Sequence, residues 1–127
     1  AERGGQGAVR VPPPATDLKP EDRAALRLAM SDDVGVVRDA RGLKQALKLI
    51  SGLERTNPHA LPLVAARLIA QAALDRRESR GGHYRADHPK TRARAEHTRL
   101  SLSRTQAAAL MATTAATTAV LAAVIAS

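Results

Sequence analysis

The chain has 127 residues, a net charge of +8, no cysteine and one aromatic residue, Tyr84. These totals exclude a disulfide framework and a thiolate metal site, and they leave one small domain whose core must be aliphatic and therefore thin. A thin core favours stabilisation by a partner, and the absence of cysteine agrees with a cytoplasmic location.

Both ends of the chain differ in composition from its middle. Residues 1–18 are rich in glycine and proline, which predicts a disordered or extended linker. Because the chain starts at Ala1 and has no signal-peptide core, we expect a cut inside a longer polypeptide, with removal of an initiator methionine as the alternative. Residues 105–127 form an Ala/Thr-rich tail that we predict to be helical. The tail is long enough to cross a bilayer, but its few strongly apolar residues argue against a membrane anchor.

The first two helices are predicted from start signals and periodicity. Pro20 suits a first helical position and opens a helix through EDRAALRLAMS, which has Leu26 on its apolar face and ends near Gly35. The segment VGVVR follows as a connector. Asp39 is a good N-cap for a second helix. The apolar stripe of that helix consists of Leu43, Ala46, Leu47, Ile50 and Leu53.

The third helix is predicted to run through LPLVAARLIAQAALDRRESR. We expect Asn57-Pro58 to end the second helix and Asn57 to cap the third. Pro58 or Pro62 should lie in the first turn of the third helix, and Gly81 or Gly82 should be left-handed at its end. Apolar residues cover nearly its whole circumference, which indicates burial on more than one side. Two short helices can cover only part of it, so we expect the remaining face to dock against protein outside this chain. Cover by the chain's own tail is the alternative.

The polar segment ESRGGHYRADHP, residues 78–89, follows that helix and holds the single aromatic residue. We predict an irregular loop that serves recognition or docking. His83, Asp87 and His88 lack a metal-ligand spacing, and Ser79 lacks a nucleophile elbow. No glycine-rich phosphate loop follows a strand. No catalytic, cofactor-binding or metal site is therefore assigned to the chain.

The arginine surplus raises the possibility of a basic helical module that binds nucleic acid. The arginines from Arg80 to Arg104 alternate with Glu78, Asp87 and Glu96, and no aromatic stacking platform accompanies them. We therefore expect no nucleic-acid partner and keep this function as an alternative. The sequence does not indicate an oligomeric state.

Three segments together carry a resemblance to a known family: AMSDDVGVVRDARGLKQAL, LVAARLIAQAAL and ESRGGHYRADHP. Over about residues 23 to 102, the chain resembles the C-terminal helical domain of L-aspartate oxidases, FAD-dependent members of the succinate dehydrogenase/fumarate reductase flavoprotein family. The spacing ESRGxHxRxDxP is shared with succinate dehydrogenase flavoproteins, whereas VGVVRD, residues 34–39, favours aspartate oxidase. His88 stands where the family often has an aromatic residue.

The resemblance agrees with an all-α fold: a three-helix bundle over residues 19–89, an extended segment over residues 90–104, and the tail. It implies an accessory C-terminal domain of an enzyme that oxidises L-aspartate to iminoaspartate in the first step of NAD biosynthesis. FAD and the catalytic residues would belong to the flavin-binding and capping domains of the same enzyme, so the chain alone is expected to be inactive. A succinate dehydrogenase/fumarate reductase-type parent is the alternative.

The resemblance also suggests a role for the polar loop at the junction with those domains. Tyr84 is expected to pack its ring at the junction, while paired charges pin the turn through charge-assisted hydrogen bonds. The predicted inter-domain docking loop consists of Glu78, Ser79, Arg80, His83, Tyr84, Arg85 and Asp87.

Overall fold

A computed structural model describes residues 17–58 and 60–103 of the protein. Nearly all of the predicted linker and the whole Ala/Thr-rich tail lie outside these residues. The described part consists of helices α1 (Pro20–Asp32), α2 (Ala40–Thr56) and α3 (Leu61–Asp75), with two short strands, β1 (Val37–Arg38) and β2 (Tyr84–Arg85). The predicted all-α class with three helices is confirmed. The additional element is a parallel two-stranded sheet formed by β1 and β2.

Helix α2 lies between the other two helices and packs against both of them. Its predicted stripe faces the core, because Leu43, Ala46 and Ile50 are buried and Leu47 and Leu53 pack against the buried cluster. Alanine fills much of the remaining core, so little apolar area is buried per residue. The buried apolar cluster consists of Leu18, Leu26, Val34, Leu43, Ala46, Ile50, Ala60, Leu63, Ala66, Ala70 and Ala73.

Local signals set the ends of α1 and the start of α2. Pro20 stands in the first turn of α1, where its missing N–H costs nothing, and the helix ends in the predicted region. Gly35 is required there because a Cβ at this position would collide with the backbone carbonyl of Ser31. Asp39 caps α2 as predicted, since its side chain accepts a hydrogen bond from the Gly42 N–H at 2.7 Å.

Replacing Asp39 with alanine is expected to destabilise the protein by about 1 kcal/mol, because the N–H of Gly42 loses its acceptor. Asparagine at the same position keeps an acceptor oxygen and serves as the matched control. Urea unfolding followed by far-ultraviolet circular dichroism measures the difference. Equal unfolding midpoints for the alanine and asparagine variants would contradict the capping role.

The prediction that Asn57 caps the start of α3 is wrong. Asn57 does end α2, as the sequence predicts, and its backbone N–H and side-chain Nδ2 both donate to the carbonyl oxygen of Leu53. Nδ2 also lies 2.8 Å from the carboxylate of Asp22 on α1, so the side chain is already engaged. Ala60 takes the N-cap position of α3, and Pro62 lies in its first turn, in agreement with the second of the two predicted alternatives.

The prediction that α3 runs to Arg80 and ends at a glycine is also wrong. The helix ends at Asp75 because Arg76 adopts extended backbone angles, with φ −81° and ψ 95°. The guanidinium group of Arg85, further along the chain, donates hydrogen bonds to the carbonyl oxygens of Ala73 and Leu74 at that end. Gly81 does adopt a left-handed conformation, with φ +58°, but it lies in the next turn and not at the helix end.

Helix α3 has one buried face and one exposed apolar face. Leu63 and several alanines contact the core, whereas Leu61 and Ile69 are 61% and 53% exposed. Within the described residues, the other two helices therefore cover only part of α3, as the sequence predicts. We refer to Leu61, Ala65 and Ile69, which are spaced four residues apart along one side, as the α3 face.

The buried face of α3 contains a charge that apolar periodicity does not predict. Arg67 is 6% exposed, and its Nε and Nη2 donate to the two carboxylate oxygens of Glu54 on α2 at 2.9 and 2.6 Å. Its Nη2 also lies 2.7 Å from Ser51 Oγ. A charged network therefore joins α2 to α3 beside the aliphatic core.

Candidate functional site

The polar loop after α3 turns back on the bundle. The backbone N–H of Arg80 donates to the carbonyl oxygen of His83 at 2.8 Å, and the N–H of His83 donates back to Arg80 at 3.1 Å. Gly81 supplies the left-handed residue of this turn, a conformation that costs other residues about 1–2 kcal/mol. The turn brings β2 alongside β1. The predicted irregular loop thus contains a strand.

Arg85 is the charged residue that fixes the loop to α3. It is 1% exposed, and its Nη1 donates to the carbonyl oxygens of Ala73 and Leu74 at 2.8 and 2.9 Å. Its Nε and Nη2 donate to the two carboxylate oxygens of Asp87 at 2.8 and 2.7 Å. Since the last carbonyls of a helix have no partner within the helix, the side chain of Arg85 caps the C-terminal end of α3.

Asp87 connects the same loop to the start of α2. Its second carboxylate oxygen accepts a hydrogen bond from the backbone N–H of Ala40 at 3.3 Å. The hydrogen bonds from Arg85 hold the pKa of Asp87 well below its usual value, and the Ala40 N–H contributes in the same direction. The Arg85–Asp87 pair therefore places a cation at the negative end of α3 and an anion at the positive end of α2.

Ser79 holds the two halves of the loop together from inside. Its buried hydroxyl oxygen accepts the backbone N–H of Arg85 at 2.8 Å and donates to the carbonyl oxygen of His88 at 2.9 Å. Its backbone N–H donates to the carbonyl oxygen of Lys90 at 3.2 Å. The segment after the loop is thereby tied to the loop itself.

Glu78 provides the second buried charge of the loop. It is 2% exposed, forms ion pairs with Arg76 and Arg80 at 3.1 and 3.3 Å, and accepts the backbone N–H of Arg92 at 3.1 Å. Burial alone raises the pKa of Glu78, but the Arg92 N–H and the two guanidinium groups outweigh it and lower the pKa. Glu78 is therefore a compensated buried carboxylate.

His83 lies between the side chain of Arg38 on β1 and the backbone carbonyl of Arg76, which follows α3. Its Nδ1 is 2.8 Å from Nη1 of Arg38 on β1, and its Nε2 is 3.2 Å from the carbonyl oxygen of Arg76 after α3. Partial burial lowers the pKa of His83, and the neighbouring positive charges lower it further. The ring therefore connects the first strand to the end of α3.

The outer side of the sheet carries exposed apolar residues. Val37 and Tyr84 are partners in the parallel pairing, so their side chains lie on the same side of the sheet. They are 63% and 43% exposed, whereas Arg85, which points to the other side, is buried. We refer to Val37 and Tyr84 as the sheet face.

The residues of the predicted docking loop divide into two groups. The charged pairs expected to pin the turn are present, between Arg85 and Asp87 and between Arg80 and Glu78. Most members of the loop therefore bind the loop to its own bundle, and Tyr84 is the member that offers apolar surface outward. Glu78, Ser79 and Arg85 are buried, Arg80 and His83 are half-buried, and Tyr84 and Asp87 are exposed.

Arg38 and Arg76 belong to the site although sequence reasoning missed them. Arg38 donates through Nε to the carbonyl oxygen of Gly35 at 2.7 Å and reaches His83 across the sheet. The signal that could have revealed it is the pair of β-branched valines between Gly35 and Asp39, a composition typical of a short strand.

The loop does not assemble a metal or nucleophilic site. No group of three or more His, Asp or Glu side chains lies close enough to hold a metal ion in the part of the chain that the structure describes. Both ring nitrogens of His83 have partners, and His88 Nε2 lies 3.7 Å from the carboxylate of Asp87. The Ser79 hydroxyl is buried and engaged with backbone groups.

The junction of β1 with α2 does not fit the pyrophosphate of FAD. A dinucleotide phosphate typically binds where a strand runs into a helix N-terminus, and the junction of β1 with α2 has that form. There the Gly42 and Ala40 N–H groups already donate to the carboxylates of Asp39 and Asp87. Two negative charges at this helix end would repel a phosphate group.

Among residues 17–58 and 60–103, no helix has both the length and the apolar character needed to cross a membrane. The Ala/Thr-rich tail, residues 105–127, lies outside the described residues.

Comparison with known proteins places these features in a family. Residues 60–122 match the family described as fumarate reductase flavoprotein C-term. The L-aspartate oxidase of Caulobacter vibrioides is 50% identical over 90 residues, covering 68% of this chain and 18% of that protein. The L-aspartate oxidase of Rhodospirillum rubrum is 50% identical over 93 residues, covering 63% of this chain and 33% of that protein. The chain thus spans at most 33% of the length of these curated relatives.

A solved structure is similar as well. The structure of Mycobacterium smegmatis Sdh1 in complex with UQ1 matches with a TM-score of 0.51 and 33% sequence identity, over 57% of this chain and 15% of that chain. Sequence and fold therefore agree with the resemblance predicted from the three quoted segments. The chain belongs to the succinate dehydrogenase/fumarate reductase flavoprotein family, in which it corresponds to the C-terminal domain.

Proposed function

We propose that this chain is the accessory C-terminal domain of a cytoplasmic, FAD-dependent L-aspartate oxidase, which oxidises L-aspartate to iminoaspartate in the first step of NAD biosynthesis. The relatives named L-aspartate oxidase and the segment VGVVRD support this parent. FAD and the catalytic residues then belong to the rest of the enzyme, and the chain alone has no activity. The α2 N-terminus, which carboxylates already occupy, agrees with a flavin site elsewhere.

The observation that carries the docking role is the sheet face. Val37 and Tyr84 expose apolar surface side by side, on a sheet that the Arg85 network fixes to two helix ends. Aromatic residues held rigidly at a surface are typical of interface anchors, because little side-chain entropy is lost when they are buried. We therefore assign the contact with the flavin-binding and capping domains to the sheet face.

The α3 face supplies a second apolar surface for the same partner. Leu61 and Ile69 expose more than half of their area, and Ala65 between them leaves room for close approach of another chain. In this proposal the buried polar and charged side chains of the polar loop position the docking surface and do not touch the partner. Glu78, Ser79 and Arg85 act in this way through their contacts with the bundle.

A succinate dehydrogenase/fumarate reductase-type flavoprotein is the second candidate for the parent enzyme. The similarity to Mycobacterium smegmatis Sdh1, at 33% identity, favours it. The two parents are distinguished by assaying the full-length enzyme with L-aspartate and with succinate as electron donor. Oxidation of L-aspartate without oxidation of succinate supports the first proposal, and the reverse result supports the second.

The docking role is tested with the double variant Val37→Ser, Tyr84→Ser in the full-length flavoprotein. We expect a loss of about 1 kcal/mol of stabilisation between domains, seen as a Tm lower by roughly 2–4 °C and as weaker retention of FAD. The same substitutions in the 127-residue chain alone are expected to leave its stability nearly unchanged, because both side chains are exposed there.

Leu28→Ser is the matched control, because Leu28 on α1 is 64% exposed and lies on neither of the two faces. Its Tm in the full-length enzyme should equal that of the parent. The docking role would be rejected if the control lowered the Tm as much as the double variant does. It would also be rejected if deletion of residues 20–102 changed neither the Tm nor the retention of FAD. Salt-dependent binding of the chain to DNA would instead favour the nucleic-acid alternative.

A further inference from the structure

We propose that the contact between Arg38 and His83 is a proton-sensitive clasp, which holds β1 against β2 while His83 is neutral and opens when the ring is protonated. Opening loosens the sheet face of Val37 and Tyr84. The clasp thus regulates the docking surface, and in this respect the inference rests on the proposed function.

The hydrogen bonds allow a single protonation state of His83. The guanidinium of Arg38 has no acceptor, so its Nη1 donates to Nδ1 of the ring across 2.8 Å. The carbonyl oxygen of Arg76 has no proton, so Nε2 of the ring donates to it across 3.2 Å. The imidazole is therefore neutral, with its one acceptor and its one donor both in use.

The surroundings of His83 disfavour a positive ring. Partial burial is the main cause that lowers the pKa of His83, and neighbouring guanidinium charges lower it further, which together outweigh the opposite effect of the hydrogen bond to the Arg76 carbonyl. The carboxylates of Glu78 and Asp87 in the same loop are already paired with guanidinium groups. Three guanidinium groups face the ring, those of Arg38 on β1, Arg76 after α3 and Arg85 on β2.

A proton added to His83 must go to Nδ1, where it meets the guanidinium of Arg38. The hydrogen bond is then lost, and two positive charges face each other in a half-buried site. Arg38 is half of β1, and its carbonyl oxygen accepts the Ala86 N–H at 2.7 Å as part of the strand contact. Repulsion at the side chain therefore acts directly on the pairing of the strands.

The direction of the pH effect follows from linkage. The pKa of His83 in the folded chain lies below the ordinary histidine value of 6.5, so at pH values between the two the unfolded state binds more protons than the folded state. The stabilisation is complete at neutral pH, and it is lost as the pH falls from about 6.5 through the folded-state pKa.

The test compares the 127-residue chain with its His83→Gln variant, whose uncharged amide keeps one acceptor and one donor. NMR follows the pKa of each histidine and the exchange protection of the Ala86 amide, corrected for intrinsic exchange. We expect the pKa of His83 to lie below the ordinary histidine value of about 6.5, and protection of Ala86 to fall about tenfold for each pKa unit between the folded and unfolded values of His83. The His83→Gln variant should keep its protection at acid pH.

The His97→Gln variant changes an exposed histidine and is expected to follow the unmodified chain. A pKa of His83 at or above about 6.5, the ordinary histidine value, or parallel pH profiles for the chain and its His83→Gln variant, overturns the clasp. If Ala86 loses protection in acid while the double variant of the sheet face leaves the full-length Tm unchanged, the clasp stands and the docking role fails. The two ideas are thus tested separately.

Discussion

Replacing Arg85 with alanine is expected to lower the free energy of unfolding by about 3 kcal/mol, the largest single effect that we predict. The substitution removes the C-cap of α3, formed by hydrogen bonds to the carbonyls of Ala73 and Leu74. It also leaves Asp87 without its bidentate partner, although part of this carboxylate reaches water and can be hydrated. Urea unfolding of the chain at neutral pH measures the loss.

Two further variants separate the role of geometry from that of charge. Arg85→Lys keeps the charge but cannot reach both Asp87 and the helix carbonyls with a planar fork, so it should recover less than half of the loss. Arg94→Ala removes an exposed arginine of the following segment and should change the stability by less than about 0.5 kcal/mol. Equal losses for the Arg85 and Arg94 alanine variants would disprove the structural role of Arg85.

Replacing Arg67 with alanine is expected to cost about 2–3 kcal/mol, because hydrogen bonds to a charged group are lost and Glu54 remains next to the core without its partner. The cost is below that of a fully buried pair, since the Glu54 side chain is 34% exposed and can be partly hydrated. Ser51 also loses a donor to its hydroxyl oxygen. Thermal and urea unfolding both report the change.

A double variant decides whether the pair stabilises the fold or only avoids an unpaired charge. Arg67→Met combined with Glu54→Leu replaces both partners with apolar side chains, and we expect a stability within about 1 kcal/mol of the parent. Gln71→Ala, which removes an exposed contact with Asp75 on the same helix, is the control and should cost less than about 0.5 kcal/mol. A loss in the double variant as large as in Arg67→Ala would show that the pair itself stabilises the fold.

Helices α1 and α2 could be predicted because their signals are local. Pro20 and Asp39 act within one turn of their own positions, and the stripe from Leu43 to Leu53 repeats at helical spacing. The end of α3 was missed because its cap comes from Arg85, which reaches the helix only after the chain has turned back. The pair Gly81-Gly82 is a typical signal for a helix end, but α3 ends before it, where the side chain of Arg85 binds the last carbonyls.

The short sheet was missed for a related physical reason. Its two strands have two residues each, which is too short to show the alternating pattern of a strand. Their pairing joins Val37 to Tyr84, and both α2 and α3 lie between these residues along the chain. The polar loop was recognised as a unit from its composition. Composition does not show which side chains of the loop are buried. Glu78 and Arg85 are buried and form ion pairs, while the ring of Tyr84 is exposed.

The exposed position of Tyr84 gives the protein an internal optical probe. The chain has no tryptophan and no second tyrosine, so its near-ultraviolet emission arises from one ring on the sheet face. Quenching or anisotropy of that emission therefore reports on a single location, without a label and without a background from the core.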